Sequence, residues 1–397
     1  MERITVAARR ARLVARHRLS AATRASREPT ATRASGDPAG VVEAASAVLG
    51  LHATDPATVH LSALARTDGA VVADVEDALY TKRSLVRMLG MRRTVWVLDR
   101  DTAALVQHGC AHTVAATQRR RLVGHLDGSG IPDAAAWLAE VEAETLAALH
   151  TRGEAFAAEL ATDVPRLRTR IAATGQNATA RVLLQLAVDG HIVRGRPRGS
   201  WTSTQYRWSP AATWLGDPLA APSVEAAQAG LAARWLTVFG PAPVSDLRWF
   251  TGWTARETTR ALAALDVVDV DLGATPGIRL ADDPVPEAEP PAEAVLLPAL
   301  DPTPMGWQSR DWFLGAHRDL LFDRTGNIGP TVWWEGRVVG GWAQRDGGEV
   351  VVRLLEDVGT EAAAAVDAAA HRVAAHVDGT RVVPRFRTPL EKELASG

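Results

Sequence analysis

Cysteine is almost missing from this sequence: Cys110 is the only one in 397 residues. A single thiol excludes an internal disulfide and any zinc site built on several cysteines. Apolar runs are also short, and none approaches the roughly 18 residues that a membrane-spanning helix needs. Arginines from Arg3 to Arg18 interrupt the first segment, which therefore lacks the apolar core of a secretory signal. These absences predict a soluble, cytoplasmic protein.

Lysine is nearly as scarce, with only Lys82 and Lys392, so arginine carries most of the positive charge. The net charge of −2 argues against a protein that binds polyanions over its whole surface. The charges are nevertheless separated along the chain, with basic segments at 8–27, 118–125 and 191–201 and an acidic one at 281–294. This separation is compatible with DNA binding through one face, and equally with arginine-rich helices that simply face water.

Three times along the chain, apolar positions at helical spacing give way to β-rich residues. Between His191 and Trp208, for instance, a strand, a basic turn and a second strand follow a helical run. Capping residues mark several helix starts: Asp37, Thr151 with Glu154, and Thr254 with Glu257. The helices are predicted at 37–49, from 56, and at 75–89, 132–150, 151–161, 178–190, 223–239, 244–250 and 254–265, with strands in 91–101, 191–208 and 267–280.

The C-terminal part of the chain has a different pattern. The segments AVLLPALDP and TVWWEGRVVGGWAQRDGGEVVVRLL read as strands joined by EG and DGG turns, which are typical of hairpins, and a helix is predicted over 360–377. We therefore predict an α+β, mainly helical fold with three tandem winged-helix (helix-turn-helix) modules and a C-terminal β-rich domain. The predicted divisions are a basic segment at 1–36, winged helices at 37–128, 129–215 and 216–293 (the last with a linker), and the C-terminal domain with its terminal helix at 294–397.

Four stretches of the sequence resemble those of a known family. They are LGLHATDPATVHLSALAR, LVRMLGMRRTVWVL, RGSWTSTQYRW and a C-terminal segment that pairs LLPALD with GRVVGGW. Over about residues 37–358 the chain is similar to the winged-helix DNA-binding domain-containing family that includes the AlkZ-like and YcaQ-like DNA glycosylases. The resemblance implies three tandem winged helices and a β-barrel-like C-terminal domain that curve into a concave DNA-binding channel.

The first of these stretches covers the position of the family's catalytic pair. Members of the family carry Gln-aliphatic-Gln or Gln-aliphatic-Asp there, and this sequence has His52-Ala53-Thr54. The resemblance implies that His52 and Thr54 open into the channel, with His52 as a weak general base of pKa near ~6.5 and Thr54 orienting the water. Asp55 could add negative charge. Two other interpretations remain open, because Asp55 before Pro56 is also a good helix N-cap, and His52 could be a packed core residue.

The scarcity of lysine bears on the mechanism that the resemblance implies. A glycosylase that also cuts the DNA strand normally needs an amine nucleophile. Here Lys82 precedes a predicted surface helix segment and Lys392 lies in the C-terminal tail. Any glycosylase activity is therefore expected to be monofunctional, with water as the nucleophile and no cofactor. His108 and His112 share one helix face but lack further ligands, so no metal site is predicted.

Candidates for DNA contact come from the basic turns and from two C-terminal residues. Arginines in a turn rich in glycine suit phosphate contact, and wings commonly lie along the DNA backbone. Trp333 and Trp334 are adjacent on a predicted strand, so one ring should face away from the core. That ring could stack on a base, fill a gap in the base stack, or simply pack on the terminal helix. The predicted DNA contacts are Arg92, Arg93, Arg194, Arg196, Arg198, Trp201, Asn327 and Trp333.

The resulting functional prediction is a monomeric DNA-repair protein. It resembles monofunctional DNA glycosylases that excise alkylated or bulky purine adducts from double-stranded DNA. Two alternatives remain open: a non-catalytic winged-helix protein that regulates genes or binds damage, and a genotoxin-resistance protein that acts on a small molecule. The net negative charge favours the small-molecule alternative over generic DNA binding.

Overall fold

The computed structural model describes residues 1–25 and 39–397 of the chain. About half of these residues are helical and the others include several small sheets, so the fold is mixed α+β. Within the described ranges, no helix is long and apolar enough to cross a membrane. The predicted N-cap Asp37 lies outside the described residues. The N-terminal elements are β1 (Glu2–Arg3), α1 (Val6–Arg16) and α2 (Ala21–Arg24).

The first unit combines helices with a three-stranded antiparallel sheet. Its elements are α3 (Ala39–Ser46), β2 (Leu51–His52), α4 (Pro56–Leu64), α5 (Val72–Glu76), β3 (Leu85–Leu89), β4 (Val95–Asp99), α6 (Arg100–Val106) and α7 (His112–Asp127). The strand order is β2–β4–β3, and α4 begins at Pro56 as predicted. Residues 85–89 were predicted as helix but form β3. All five of its side chains are buried, including Arg87, so the sequence shows no alternation of apolar and polar residues that would reveal a strand.

The second unit repeats this combination of helices and a small sheet. Its elements are α8 (Ala134–Arg152), β5 (Ala155–Phe156), α9 (Ala157–Asp163), β6 (Arg170–Ile171), β7 (Gln176–Asn177), α10 (Thr179–Val188), β8 (Ile192–Pro197), β9 (Tyr206–Pro210) and α11 (Ala211–Leu215). The predicted strand, basic turn and strand are confirmed as β8 and β9, with β5 beside β9. The predicted cap at Thr151 is wrong, because α8 continues to Arg152. Helix α9 starts later, where the Phe156 N–H donates to Glu159 at 2.7 Å.

The third unit follows its prediction closely. Its elements are α12 (Val224–Phe239), α13 (Val244–Thr251), α14 (Ala255–Ala263), β10 (Val267–Asp271) and β11 (Pro276–Leu280). Ser223 caps α12, and Thr254 with Glu257 forms the predicted capping box of α14. Strand β1 adds to the β10–β11 hairpin in parallel with β10, so the start of the chain is fixed to this unit.

The C-terminal part is built around a four-stranded antiparallel sheet. Its elements are β12 (Ala294–Leu297), α15 (Pro302–Met305), α16 (Asp311–Leu314), α17 (Arg318–Leu321), β13 (Thr331–Trp334), β14 (Arg337–Gln344), β15 (Val350–Leu354), α18 (Gly359–Val377) and α19 (Pro389–Ser396). The strands pair in sequence order from β12 to β15. Among the described strands the sheet is therefore open, whereas the resemblance implied a barrel-like closure.

Both faces of this sheet are covered, which corrects the expectation for the adjacent tryptophans. Trp333 is 1% exposed and Trp334 is 6% exposed. Trp333 packs on one face with Phe313 of α16 and with the apolar side of α19, and Trp334 packs on the other face with α18. The two rings lie on opposite faces of the strand, and the predicted alternative that one ring packs on the terminal helix is confirmed by Trp334 on α18. Because α16 and α19 bury Trp333 as well, neither ring is open to a base.

A buried ion pair joins α4 to the C-terminal part. Arg66 follows α4, Asp301 precedes α15, and both side chains are 0% exposed. Two hydrogen bonds of 2.6 and 2.8 Å run from the guanidinium to the carboxylate. Asp301 also accepts from the Ser62 hydroxyl at 2.7 Å and from the Thr303 N–H at 2.9 Å. This pair fixes the helix that follows the motif, and it gives the aspartate of the LLPALD segment a structural role.

Candidate active site

The motif segment is held in place by the short strand β2. His52 pairs with Trp96 of β4, and the Ala53 N–H donates to the Val95 carbonyl at 2.8 Å. Gly50 precedes the strand with a φ of 117°, a backbone conformation that favours glycine, and Leu98 leaves no room there for a side chain. The backbone of residues 52–54 is therefore fixed by the sheet on one side and by the start of α4 on the other.

The His52 side chain is buried in the first unit and does not open into a channel. It is 5% exposed, and its ring meets the Trp96 ring edge-on with centroids 5.4 Å apart. The Nδ1 atom is buried and has no hydrogen-bond partner among the described residues. Burial, followed by the positive charge of Arg92, lowers the pKa of His52 to about 3. The expectation of an open imidazole with an ordinary pKa is therefore corrected: His52 is a buried, neutral ring.

Asp55 caps α4, as the capping interpretation predicted. Its Oδ1 accepts from the Ala57 N–H at 3.1 Å, and its Oδ2 accepts from the Arg385 N–H at 2.9 Å. Burial raises the pKa of this carboxyl, while those two backbone hydrogen bonds act in the opposite direction. Both oxygens thus already have partners, and the side chain connects the motif to the C-terminal segment.

Thr54 is the polar motif residue that reaches a cavity. Its side chain is half-buried, and its hydroxyl makes no hydrogen bond with any described residue. The cavity beside it has a volume of about 520 Å³ and lies between the motif, the β8–β9 hairpin and the start of α9. We call it the motif pocket; its lining residues are Ala53, Thr54, Pro56, Phe156, Ala157, Ala158, Glu159, Arg194, Arg198, Thr204, Gln205, Tyr206, Trp208 and Arg385.

The motif pocket is rich in arginine and aromatic surface. Glu159 is the one carboxylate among its lining residues, against the arginines at 194, 198 and 385. The Arg194 guanidinium lies over the Tyr206 and Trp208 rings, at 5.8 and 5.1 Å from their centres. Burial, and then the neighbouring Arg87, lowers the pKa of Arg194 to about 10, so it remains charged at neutral pH. Such a pocket can hold an aromatic base and an adjoining phosphate.

The arginines predicted on the β8–β9 hairpin do not share one role. Arg194 and Arg198 line the motif pocket, and Arg198 also lies over the Phe156 ring at 4.3 Å. Arg196 instead forms an ion pair with Glu76 at 2.8 Å and covers the Tyr80 ring. Two of the three charges are therefore available to a ligand in the pocket, while the third is already neutralised.

The other predicted DNA contacts differ in how accessible they are to DNA. Arg93 is exposed and reaches Gln118 of α7, and Arg92 lies over the Trp249 ring of α13. Trp201 is 8% exposed because it folds back onto His60 of α4, with ring centres 5.1 Å apart. Its predicted exposure to DNA is wrong, as is that of the buried Trp333.

Asn327, the remaining predicted DNA contact, closes its own loop. Its side-chain amide donates to Asp323 Oδ2 and to the Thr325 hydroxyl, each at 2.8 Å. Its backbone N–H donates to Asp323 Oδ1 at 2.9 Å. These bonds already satisfy the amide donors, so the side chain has an evident structural role in this turn.

Several pocket residues were missed from the sequence. Tyr206 stands in the RGSWTSTQYRW stretch, where a lone tyrosine carries no sequence signal that separates a pocket residue from a core residue. Its ring lies under Arg87 as well as Arg194, and Arg87 donates to the Ala53 carbonyl at 3.3 Å. Arg385 follows the last predicted helix, in a segment without a motif, and no local signal could have placed it beside Thr54. No group of three or more potential metal ligands occurs among the described residues.

An arginine-lined pocket next to a basic hairpin, on a chain of helices with small sheets, is typical of a nucleic-acid-binding protein. A family model described as "DNA glycosylase AlkZ-like" matches residues 45–376, which is most of the chain. The chain therefore belongs to the AlkZ-like DNA glycosylase family.

Comparison with solved structures supports the same fold. The DNA glycosylase AlkZ of Streptomyces sahachiroi is similar with a TM-score of 0.71 at 20% sequence identity. The similarity covers 97% of this chain and 100% of that one. No curated protein sequence matches the chain.

Proposed function

We propose that this protein is a monofunctional DNA glycosylase that removes alkylated or bulky purines from double-stranded DNA, acting as a monomer. The observation that carries the proposal is the position of Thr54, the second polar residue of the motif, in a pocket of about 520 Å³ lined by arginines and aromatic rings. Membership of the AlkZ-like DNA glycosylase family supports the reaction class.

The fold supports a finer description of the DNA-binding surface. We take the three sheets of three strands, with their associated helices, as three winged-helix modules at the divisions predicted from the sequence. In this description the β8–β9 hairpin is the wing of the second module, and it carries Arg194 and Arg198 to the pocket. A wing beside the pocket would hold the backbone next to a flipped nucleotide.

The chemistry assigned to the motif is positioning of water. An alkylated purine that carries positive charge is already a good leaving group, so orientation and modest electrostatics can suffice. Thr54 can hold a water through its free hydroxyl. His52, with a pKa of about 3, supplies a neutral ring whose Nδ1 still needs a partner, and it is too weak a base to take the proton alone. Neither lysine lines the pocket, which supports hydrolysis over a Schiff-base route.

The direct test is incubation with duplexes that each carry one defined alkylpurine, followed by heat or alkali. A glycosylase leaves an abasic site, which these treatments convert to a strand break. Breaks that appear only after heat or alkali support the proposal. Tight binding of the damaged duplex without any base release would instead favour the non-catalytic damage-binding alternative.

The pH dependence of excision should not follow an ordinary histidine. His52 acts as a neutral ring, and its lowered pKa moves the loss of that form far to the acid side. We expect single-turnover excision at saturating protein to stay level between about pH 8 and about pH 5. The measurement is a rate profile for wild type and for His52→Gln, which has no imidazole. A midpoint near ~6.5 in wild type that vanishes in His52→Gln would contradict the buried, neutral assignment.

The hairpin arginines should contribute unequally to DNA binding. Because Arg196 is paired with Glu76, the double variant Arg194→Ala/Arg198→Ala should weaken duplex binding nearly as much as the triple variant that includes Arg196→Ala. The salt dependence of binding should also flatten, by about 0.9 in slope for each phosphate that the protein no longer neutralises. Salt titrations of duplex binding measure both effects, and Arg196→Ala is the matched control. An unchanged slope in the triple variant would remove this hairpin from the interface.

A further inference from the structure

Arg92, Arg310 and Arg318 lie outside the motif pocket and are among the arginines whose side chains make no hydrogen bond with the described residues. Arg92 lies in the turn between β3 and β4, Arg310 lies directly before α16, and Arg318 begins α17. Arg310 is 4% exposed, and its Nε and Nη2 atoms are buried without partners, as is Nε of Arg92. Leaving buried donors of a charged group without acceptors is strongly unfavourable, and an anion that reaches the guanidinium nitrogens that are not buried would offset that cost.

Trp249 of α13 brings two of these groups together. The guanidinium carbon of Arg92 lies 3.7 Å from the centre of the Trp249 ring, and that of Arg310 lies 5.1 Å from it. Because both distances start at the same point, the two carbons cannot be more than 8.8 Å apart. A tetrahedral anion at the edge of the Trp249 ring could then accept charge-assisted hydrogen bonds of about 2.7–2.9 Å from both guanidinium groups.

The local charges favour an anion. Arg92 and Arg318 both act to lower the pKa of Arg310, which burial lowers to about 10. The one nearby acid that acts on Arg310 is Asp246. Its Oδ1 accepts from the Gln308 and Ser309 N–H groups and from the Ser309 hydroxyl, whereas its buried Oδ2 has no partner among the described residues. Asp246 also offsets the buried Arg9. The single Asp246 carboxylate thus lies among four arginines, so this cluster of side chains keeps an excess of positive charge.

We propose that Arg92 and Arg310, supported by the Trp249 ring, form a binding site for one phosphodiester group of the DNA strand. The planar guanidinium fork matches a phosphate, and the stacked ring fixes the orientation of each fork. The proposal rests on the proposed function for the source of the phosphate, since DNA supplies it. Residues from the first unit, the third unit and the C-terminal part meet here, so one bound phosphate would hold all three in place.

The site also has a geometric relation to the motif. Arg92 is close enough to His52 for its charge to act on that ring, whereas the motif pocket opens on the side of Thr54. The proposed phosphate site and the motif pocket therefore lie on different sides of the motif segment. A strand anchored at Arg92 and Arg310 would be positioned relative to the pocket without any contact to the excised base.

The test is salt-dependent binding of an undamaged duplex by wild type and by Arg92→Gln/Arg310→Gln. Removal of one phosphate contact should reduce the slope of log affinity against log salt by about 0.9. Arg166→Gln is the matched control, because Arg166 also lies over a tryptophan, Trp137, but is already paired with Glu140 and Glu144. An unchanged slope and affinity in the double variant, with normal wild-type excision, overturns this site and leaves the proposed function standing.

A second measurement separates DNA phosphate from free phosphate and checks folding. The double variant should have a Tm at least as high as wild type, because it removes two unpaired buried charges. A short duplex should raise the wild-type Tm more than that of the double variant, whereas inorganic phosphate at equal concentration should raise it little. Equal effects of the duplex on both proteins overturn the proposal, and a large selective effect of inorganic phosphate alone overturns the assignment to DNA. Wild type that binds no duplex at all contradicts the proposed function itself.

Discussion

Replacing Arg66 by methionine is expected to lower the free energy of unfolding by about 3–5 kcal/mol, because Asp301 then remains as an unpaired buried charge. Methionine keeps much of the side-chain volume, so the loss reports the charge and its hydrogen bonds more than a cavity. Urea denaturation followed by tryptophan fluorescence measures the effect. The destabilisation should also loosen α4 from the C-terminal part, since Ser62 and Thr303 share the same network.

Two further variants test whether the loss of stability arises because the Arg66–Asp301 pair is buried. Arg152→Met removes one partner of an exposed ion pair with Asp163 and should change stability little. The double variant Arg66→Met/Asp301→Leu should recover part of the loss, because no unpaired charge is left inside. If Arg66→Met were as stable as Arg152→Met, the buried pair would not be what fixes α4.

Thr54→Val is expected to reduce single-turnover excision of an alkylpurine on the order of 10²-fold, by removing the hydroxyl that positions water. Valine has nearly the same shape, so the fold and the pocket should be kept. His52→Ala should reduce excision less directly, because it leaves a cavity beside Trp96 that can shift Thr54, and DNA binding should persist because the arginine contacts lie elsewhere. Restoring the residues found in family members, with His52→Gln/Thr54→Gln, should retain or raise activity.

The matched control is Thr204→Val, which changes another threonine that lines the same pocket. Its excision rate should stay close to that of wild type, because Thr204 belongs to the hairpin and not to the motif. Rates are compared at saturating protein, so that a change in DNA affinity does not enter. Equal losses in Thr54→Val and Thr204→Val would point to general damage to the pocket instead of a role for Thr54 in positioning water.

Local sequence signals predicted the helices that begin with strong capping residues and the strands whose apolar and polar residues alternate. The Thr254–Glu257 capping box marked the start of α14 in the third unit, and the basic turn between two strands predicted the β8–β9 hairpin. The strand β3 was missed because its side chains are buried on both faces and show no period of two. For the same reason the burial of both Trp333 and Trp334 could not be seen from the strand alone.

The candidate site was only half predictable. The motif could be located from its neighbours in sequence, and the cap formed by Asp55 followed from Pro56. The burial of His52 could not, since it depends on Trp96 and on the positive charge of Arg92. Contacts such as Arg385 with the motif join residues more than 300 positions apart, and nothing local encodes them.

The measurement that tests the central claim most directly is release of free base under single-turnover conditions. Excess wild-type protein is incubated with a duplex that carries one alkylated purine, and the products are identified by mass spectrometry. The account predicts free alkylpurine together with an abasic strand that stays uncut until it is heated, and both products should fall sharply with Thr54→Val. Release no faster than in the protein-free duplex, despite normal binding, would contradict it.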